Sequence, residues 1–140
     1  MKFCVYGAGA IGGYLAVELA LSGNEVCVIA RGPHLQAIQE RGLKLIIQGR
    51  EKVARVAAAD DPRTFGAQDF VICALKAHQA YSAAASFAPL LGATTAVVTA
   101  MNGIPWWYFY KAGTRFDDHH PKSVDLGGQQ WDCIQPQRAI

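Results

Sequence analysis

The chain has 140 residues, 51% of them hydrophobic and 17% charged, with 13 Lys plus Arg against 11 Asp plus Glu and a net charge of +2. That length and composition describe one globular domain over residues 1–140, able to bury about two-thirds of its unfolded surface. The chain is too apolar to be disordered, and it has no run of basic residues to mark a nucleic-acid binder.

The N-terminal "KFCVYG" reads as a short buried strand. In "AIGGYLAVELALSG", which follows, Ile11, Leu15, Leu19 and Leu21 recur near helical spacing, and Gly23 provides a helix stop. Glu18, Asn24 and Glu25 interrupt this apolar segment before it reaches membrane-spanning length, so a strand, not a signal peptide, opens the chain and no membrane partner is expected. "EVCVIA" is a second strand, and "PHLQAIQERG" a helix with Pro33 near its start and Gly42 at its end. "LKLIIQ" and "KVARVAA", separated by "GRE", read as two short strands around a turn. "DFVICAL" is a fully apolar strand, "HQAYSAAASFAPLL" a helix with Pro89 near its end, and "TTAVVTAM" another buried strand. Strands apolar on both faces and separated by helices predict an α/β fold, a doubly wound and mainly parallel sheet. Residues 101–140 are richer in turn formers and aromatics, with at most a helical turn around Trp106 to Tyr110, and "CIQPQRAI" reads as the approach to a further strand.

Cys4, Cys27, Cys73 and Cys133 lie far apart with no CxxC pair, three of them inside apolar strand-like runs. They read as free thiols of a reducing, cytoplasmic compartment, with no zinc site and no disulfide frame.

Where the first strand meets the first helix stands "GAGAIG", made of Gly7, Ala8, Gly9, Ala10, Ile11 and Gly12. In the Rossmann dinucleotide motif the first glycine permits the tight turn, the second lets backbone approach a pyrophosphate, and the third lets helix and strand pack closely. The motif alone is weak, but here it has the strand, helix and second strand it requires. An Asp or Glu about 20 residues further on would bind the ribose of NAD; this chain has Arg31 instead, whose guanidinium suits the 2′-phosphate of NADP. Lys76 follows the strand "DFVICAL" and Asn102 follows "TTAVVTAM", both at the carboxyl ends where open α/β sheets bind ligands.

"GAGAIGGYLA", "VIARGPH", "LKAHQ" and "MNGIPWWYF", in this order, resemble the N-terminal half of ketopantoate reductases, the 2-dehydropantoate 2-reductases. The resemblance runs on through "SVDLGG" to "QPQRAI", although Met101 stands where the family often has a polar residue before Asn-Gly. It implies NADPH-dependent reduction of a 2-keto acid within pantothenate biosynthesis. The cofactor pyrophosphate would lie on Gly7, Gly9 and Gly12, the 2′-phosphate on Arg31, and nicotinamide ribose and substrate beside Lys76 and Asn102. It also implies a helical second domain, absent from this chain, that carries the proton donor, so residues 1–140 are expected to bind NADPH without catalysing reduction. Two alternatives stand beside this reading: another NADP-dependent dehydrogenase with the same N-terminal fold, and a nucleotide-binding or interaction module without chemistry.

Other polar clusters read as ordinary surface. Asp117, Asp118, His119 and His120 suit a solvated loop better than a metal site, and Asp60 and Asp61 suit a turn or cap. Trp106, Trp107, Tyr108 and Phe109 are expected to face solvent in the isolated chain, where a second domain or subunit would pack, and so to drive self-association.

Overall fold

Alternation of strand and helix continues through the first 100 residues of the computed structural model, which describes residues 1–140. β1 (Lys2–Tyr6) leads into α1 (Ala10–Leu21), β2 (Glu25–Ile29) and α2 (Gly32–Arg41). β3 (Leu43–Ile47) and β4 (Arg50–Ala54) form a hairpin, after which come β5 (Ala57–Ala59), β6 (Gln68–Cys73), α3 (Ala77–Ala83), β7 (Leu91–Thr99) and α4 (Gln129–Ile134). Five strands make a parallel sheet in the order β5-β2-β1-β6-β7, and β3-β4 stand apart as an antiparallel pair.

Successive strand residues point to opposite faces, so each apolar strand feeds two cores. Val5, Val28 and Ile72 pack with Ala16 and Val17 of α1 and Ile38 of α2. Cys4, Tyr6, Val71, Cys73 and Val97 face the other way, onto Phe87, Leu90, Trp106 and Ile134. Helical cover on both faces is the reason the strands carry no polar alternation. Tyr6 stacks on Phe87 at 4.5 Å while its hydroxyl reaches Ser86 Oγ at 2.7 Å, which fixes the helical layer over the sheet.

In three places the fold departs from the sequence reading. "KVARVAA" is not one strand: the hairpin pairing ends at Leu43↔Ala54, and the chain crosses to the main sheet, where Ala57–Ala59 pairs with β2. Alanines fit that edge beneath α2, whose Gln39 Nε2 donates to the Ala58 carbonyl at 3.0 Å. "HQAYSAAASFAPLL" is α-helical only over Ala77–Ala83 and tightens to a 3-10 helix over Ala84–Leu90, since Pro89 has no N–H to give. β7 begins at Leu91, earlier than expected, because Thr95 closes a bulge there. Its hydroxyl donates to the Gln68 carbonyl at 2.5 Å and accepts from Gly92 N at 2.7 Å.

The C-terminal segment also holds α4, which the sequence reading lacked. Asp125, 3% exposed, accepts from Gln130 N at 2.8 Å and Trp131 N at 3.0 Å and so caps it. Trp106 then packs edge-on to Trp131 at 6.2 Å and is 2% exposed, so the expectation that the whole aromatic run faces solvent does not hold. A short amphipathic helix from the same chain covers it. Tyr108 does remain 56% exposed. Ala139 bridges β7 at Val97, with Ile140 N donating to the Val97 carbonyl at 3.0 Å. No helix is long and apolar enough to cross a membrane.

Candidate functional site

A cleft of about 960 Å³ opens at the carboxyl ends of β1, β2 and β6. Gly7, Ala8, Gly9 and Ala10 form its floor, and Arg31 and His34 stand on one side. Leu75, Gln79 and Ser82 form another wall, and Lys44 and Ile46 of the hairpin a third. No Asp or Glu is among the lining residues, whereas Arg31 and Lys44 are, so the cleft is built for negative charge.

Each motif glycine has a distinct physical requirement. Gly7 has φ +101°, and a Cβ there would meet Leu75 Cδ2 at 2.9 Å. At Gly12 a Cβ would lie 1.9 Å from the Gly7 carbonyl oxygen and 3.0 Å from Ala74 Cβ, so only glycine lets α1 approach β1 and β6 this closely. Gly9 differs: a Cβ would meet nothing within 4 Å, and the space it would enter belongs to the cleft. Gly9 is also the N-cap of α1, with no side-chain cap and no acidic residue in the first turn. Helix amides without side-chain caps, together with the macrodipole, leave this end of α1 electropositive and open to the cleft.

Arg31 is the N-cap of α2, exposed and without an ion pair. His34 lies in the first turn of α2, and its Nε2 is 2.7 Å from the Ala8 carbonyl, tying α2 to the glycine loop. Lys44 pairs with Glu51 Oε2 at 2.9 Å across the hairpin. Gly12 lies beneath the loop, and Ile11, 60% exposed, lies outside the cleft lining. Lys76 is the exposed N-cap of α3, just beyond β6. Asn102 is exposed just beyond β7 and lines a second, smaller cavity with Met101 and Trp106. The fold thus gathers the glycine loop and Arg31 into one cleft and sets Lys76 and Asn102 at neighbouring strand ends outside its lining. Cys73, at the end of β6, is buried, and desolvation pushes its thiol up to about 11, so it stands neutral at the strand end. The adjoining Cys27 thiol, and burial after it, hold the Cys4 thiol above its ordinary range.

Tyr14, Leu75, Gln79, Ser82 and the hairpin residues were not foreseen as cleft lining. The spacing of Gln79 and Ser82 puts them on one helical face, and that was a usable signal. The hairpin gave none, since its position over α1 is a tertiary contact.

The ketopantoate reductase PanE/ApbA family profile matches residues 3–133. The chain belongs to this family. It is 50% identical over its whole length to a 2-dehydropantoate 2-reductase of Mesorhizobium japonicum, of which it covers 43%. A structure described as a ketopantoate reductase of Ralstonia solanacearum superposes with a TM-score of 0.92 at 42% identity, over 98% of this chain and 42% of that one. D-mandelate dehydrogenase, solved with NADH and anilino(oxo)acetate, superposes with a TM-score of 0.69 at 31% identity, over 75% of this chain and 35% of that one. The chain spans less than half the length of these relatives and corresponds to their N-terminal portion.

Proposed function

We propose that residues 1–140 form a single domain that is the NADPH-binding half of a reductase acting on a 2-keto acid, with 2-dehydropantoate as the substrate and pantoate as the product. The observation that carries this reading is the cleft itself: a glycine loop at an uncapped helix N-terminus, opening beside Arg31 and lined by no carboxylate. In this reading Gly7, Ala8, Gly9 and Ala10 offer backbone to the pyrophosphate, Ile11 and Gly12 set the pitch of α1, and Arg31 pairs with the 2′-phosphate. Bound NADPH supplies the hydride. Lys76 and Asn102 hold the nicotinamide ribose and substrate at the ends of β6 and β7. As the keto carbon is reduced, negative charge grows on its oxygen, which needs a proton donor within hydrogen-bond reach. Lys76 is the one cation at those two strand ends, so a donor from outside these residues completes the reaction, and the 140-residue chain binds cofactor without turnover.

The likeness to D-mandelate dehydrogenase favours a second reading, a different 2-keto acid with NADH. Calorimetric titration with NADPH and NADH separates the two. A guanidinium–phosphate pairing of about 1.5–3 kcal/mol makes NADPH tighter by about tenfold or more. Equal affinities would remove Arg31 from cofactor choice, and no binding of either would reject the reading altogether.

A further inference from the structure

His34 stands in the wall of the cleft and is bonded to its floor. Its Nε2 lies 2.7 Å from the carbonyl oxygen of Ala8, the residue between Gly7 and Gly9 in the loop. A carbonyl only accepts, so Nε2 carries a hydrogen and donates it. Nδ1 is then the nitrogen that titrates: neutral, it holds a lone pair, and protonated it becomes a second N–H while the bond to Ala8 stays in place. Gain of this proton does not release the loop. It puts a full positive charge on a ring tied to the loop and makes the Ala8 bond charge-assisted.

The groups around the ring decide when that charge is favoured. Besides His34, the ionisable side chains of the cleft lining are Arg31, Lys44, Tyr6 and Tyr14, with no carboxylate among them. Arg31 caps the helix that carries His34, and the N-terminal end of that helix adds partial positive charge. Lys44 of the hairpin is offset by Glu51 at 2.9 Å, and Glu51 stays outside the lining. Towards β5, on which α2 packs, Asp60 and Asp61 also lie outside the lining, and Arg63 holds Asp61 at 2.7 Å. Positive charge therefore dominates around the imidazole until an anion enters. An anion seated on the glycine loop reverses the balance.

We propose that His34 takes a proton from solvent onto Nδ1 when a pyrophosphate binds the glycine loop, so that the cleft gains a positive charge only together with its ligand. The inference rests on the reading of this cleft as the cofactor site. His34 is a positioning residue: it acts on the pyrophosphate through the Ala8 carbonyl and through its charge. Cofactor affinity then strengthens as pH falls through the histidine range, a dependence that a guanidinium or an ammonium, charged throughout it, cannot give.

The test titrates NADPH calorimetrically into the 140-residue chain and into His34→Gln, from about pH 6 to about pH 8.5, the range over which histidine changes charge. A glutamine amide can donate to the Ala8 carbonyl and takes up no proton, so the variant keeps the donor and removes the charge. The 2′-phosphate of NADPH titrates in the same range, as do His78, His119 and His120, but these are common to both chains. The ratio of the two affinities therefore isolates His34, and its change with pH is the readout. Solvent screening at this exposed ring keeps the effect modest, so the ratio should rise in favour of the parent by roughly three- to tenfold towards the acid end. Near neutrality, titration in two buffers of different ionisation enthalpy should show the parent taking up a fraction of a proton more than His34→Gln. His34→Ala loses the donor as well, and at the alkaline end it should bind roughly fivefold more weakly than His34→Gln. A ratio that stays constant with pH, with equal proton uptake, reduces His34 to a structural tie and overturns the inference while the cofactor site stands. A ratio that falls towards acid pH places a neutral imidazole in the complex and overturns it too. If the parent binds NADPH at no pH, the cofactor site and this inference fall together.

Discussion

Gly9→Ala and Gly12→Ala should separate the two tasks of the glycine loop, binding and folding. At Gly12 the new methyl would sit 1.9 Å from the Gly7 carbonyl oxygen, a backbone atom that cannot move without the β1 turn. Helix propensity favours alanine there by about 1 kcal/mol, but overpacking of this kind costs about 1–3 kcal/mol and more where backbone is struck. We expect a net loss of roughly 2 kcal/mol, or about 6–8 °C in Tm for a chain of this size. At Gly9 the backbone has φ −72° and the methyl meets no protein atom. Reduced unfolded-state freedom favours alanine by about 0.4–1 kcal/mol, and its poorer N-capping opposes it by a similar amount, so stability should stay within about 1 kcal/mol. The methyl would occupy the space in which phosphate oxygens reach the helix amides. Losing one charge-assisted hydrogen bond of about 1.5–3 kcal/mol weakens NADPH by about tenfold or more. Urea unfolding gives the first quantity and calorimetry the second. A Gly9→Ala chain that binds NADPH as tightly as the parent would refute the loop as the pyrophosphate site.

The other expectations follow from the same geometry. Arg31→Ala should weaken NADPH by about 1.5–3 kcal/mol and leave NADH nearly unchanged; an equal loss for both would show that the guanidinium does not read the 2′-phosphate. His34→Ala should instead weaken both cofactors alike, by about 1 kcal/mol, because it frees the Ala8 carbonyl and loosens the loop; a selective loss of NADPH would make His34 a phosphate ligand. Lys76→Ala and Asn102→Ala, in a turnover-competent protein containing this chain, should slow hydride transfer more than they weaken NADPH, as single-turnover absorbance decay would report; unchanged rates would return both to structural roles. Stability should fall as pH rises from about 8.5 towards 11. Below that window both states keep the Cys73 thiol protonated and its contribution is complete, whereas within it only the unfolded chain has lost the proton. A flat urea midpoint across this range would contradict the burial of Cys73.

Legibility followed the range of the interactions. The glycine loop and the strands around it could be read because their signals are local: Gly7, Gly9 and Gly12 act within one turn, and Val5, Val28 and Ile72 are apolar whichever helix covers them. Arg31 was legible for the same reason, since its position depends only on where β2 ends. The division of "KVARVAA" was not, because Lys52 to Ala54 and the alanines from Ala57 have equal claims to be strand and only their partners, β3 and β2, tell them apart. His34 was visible as a first-turn histidine, but its bond to Ala8 spans 26 residues and has no mark in sequence.

The aromatic run carries the larger lesson about association. Taken from sequence, Trp106 to Phe109 is a patch that needs a partner, and self-association follows. That inference assumed the rest of the segment had nothing to offer. Asp125 overturns the assumption: by accepting the Gln130 and Trp131 amides it starts a six-residue helix too short to persist alone, and that helix turns Trp131 and Ile134 towards Trp106 and the sheet. The apolar surface offered to a partner therefore loses Trp106, while Tyr108 at 56% and Phe116 at 46% exposed stay at the surface around Phe109. The drive to self-associate should thus depend on α4. The parent chain should run as a monomer by light scattering, while Asp125→Ala, which leaves the Gln130 and Trp131 amides uncapped, should release α4, expose Trp106 and bring association on. A parent chain that already associates as strongly as Asp125→Ala would show that the covered tryptophan is not what holds the surface quiet.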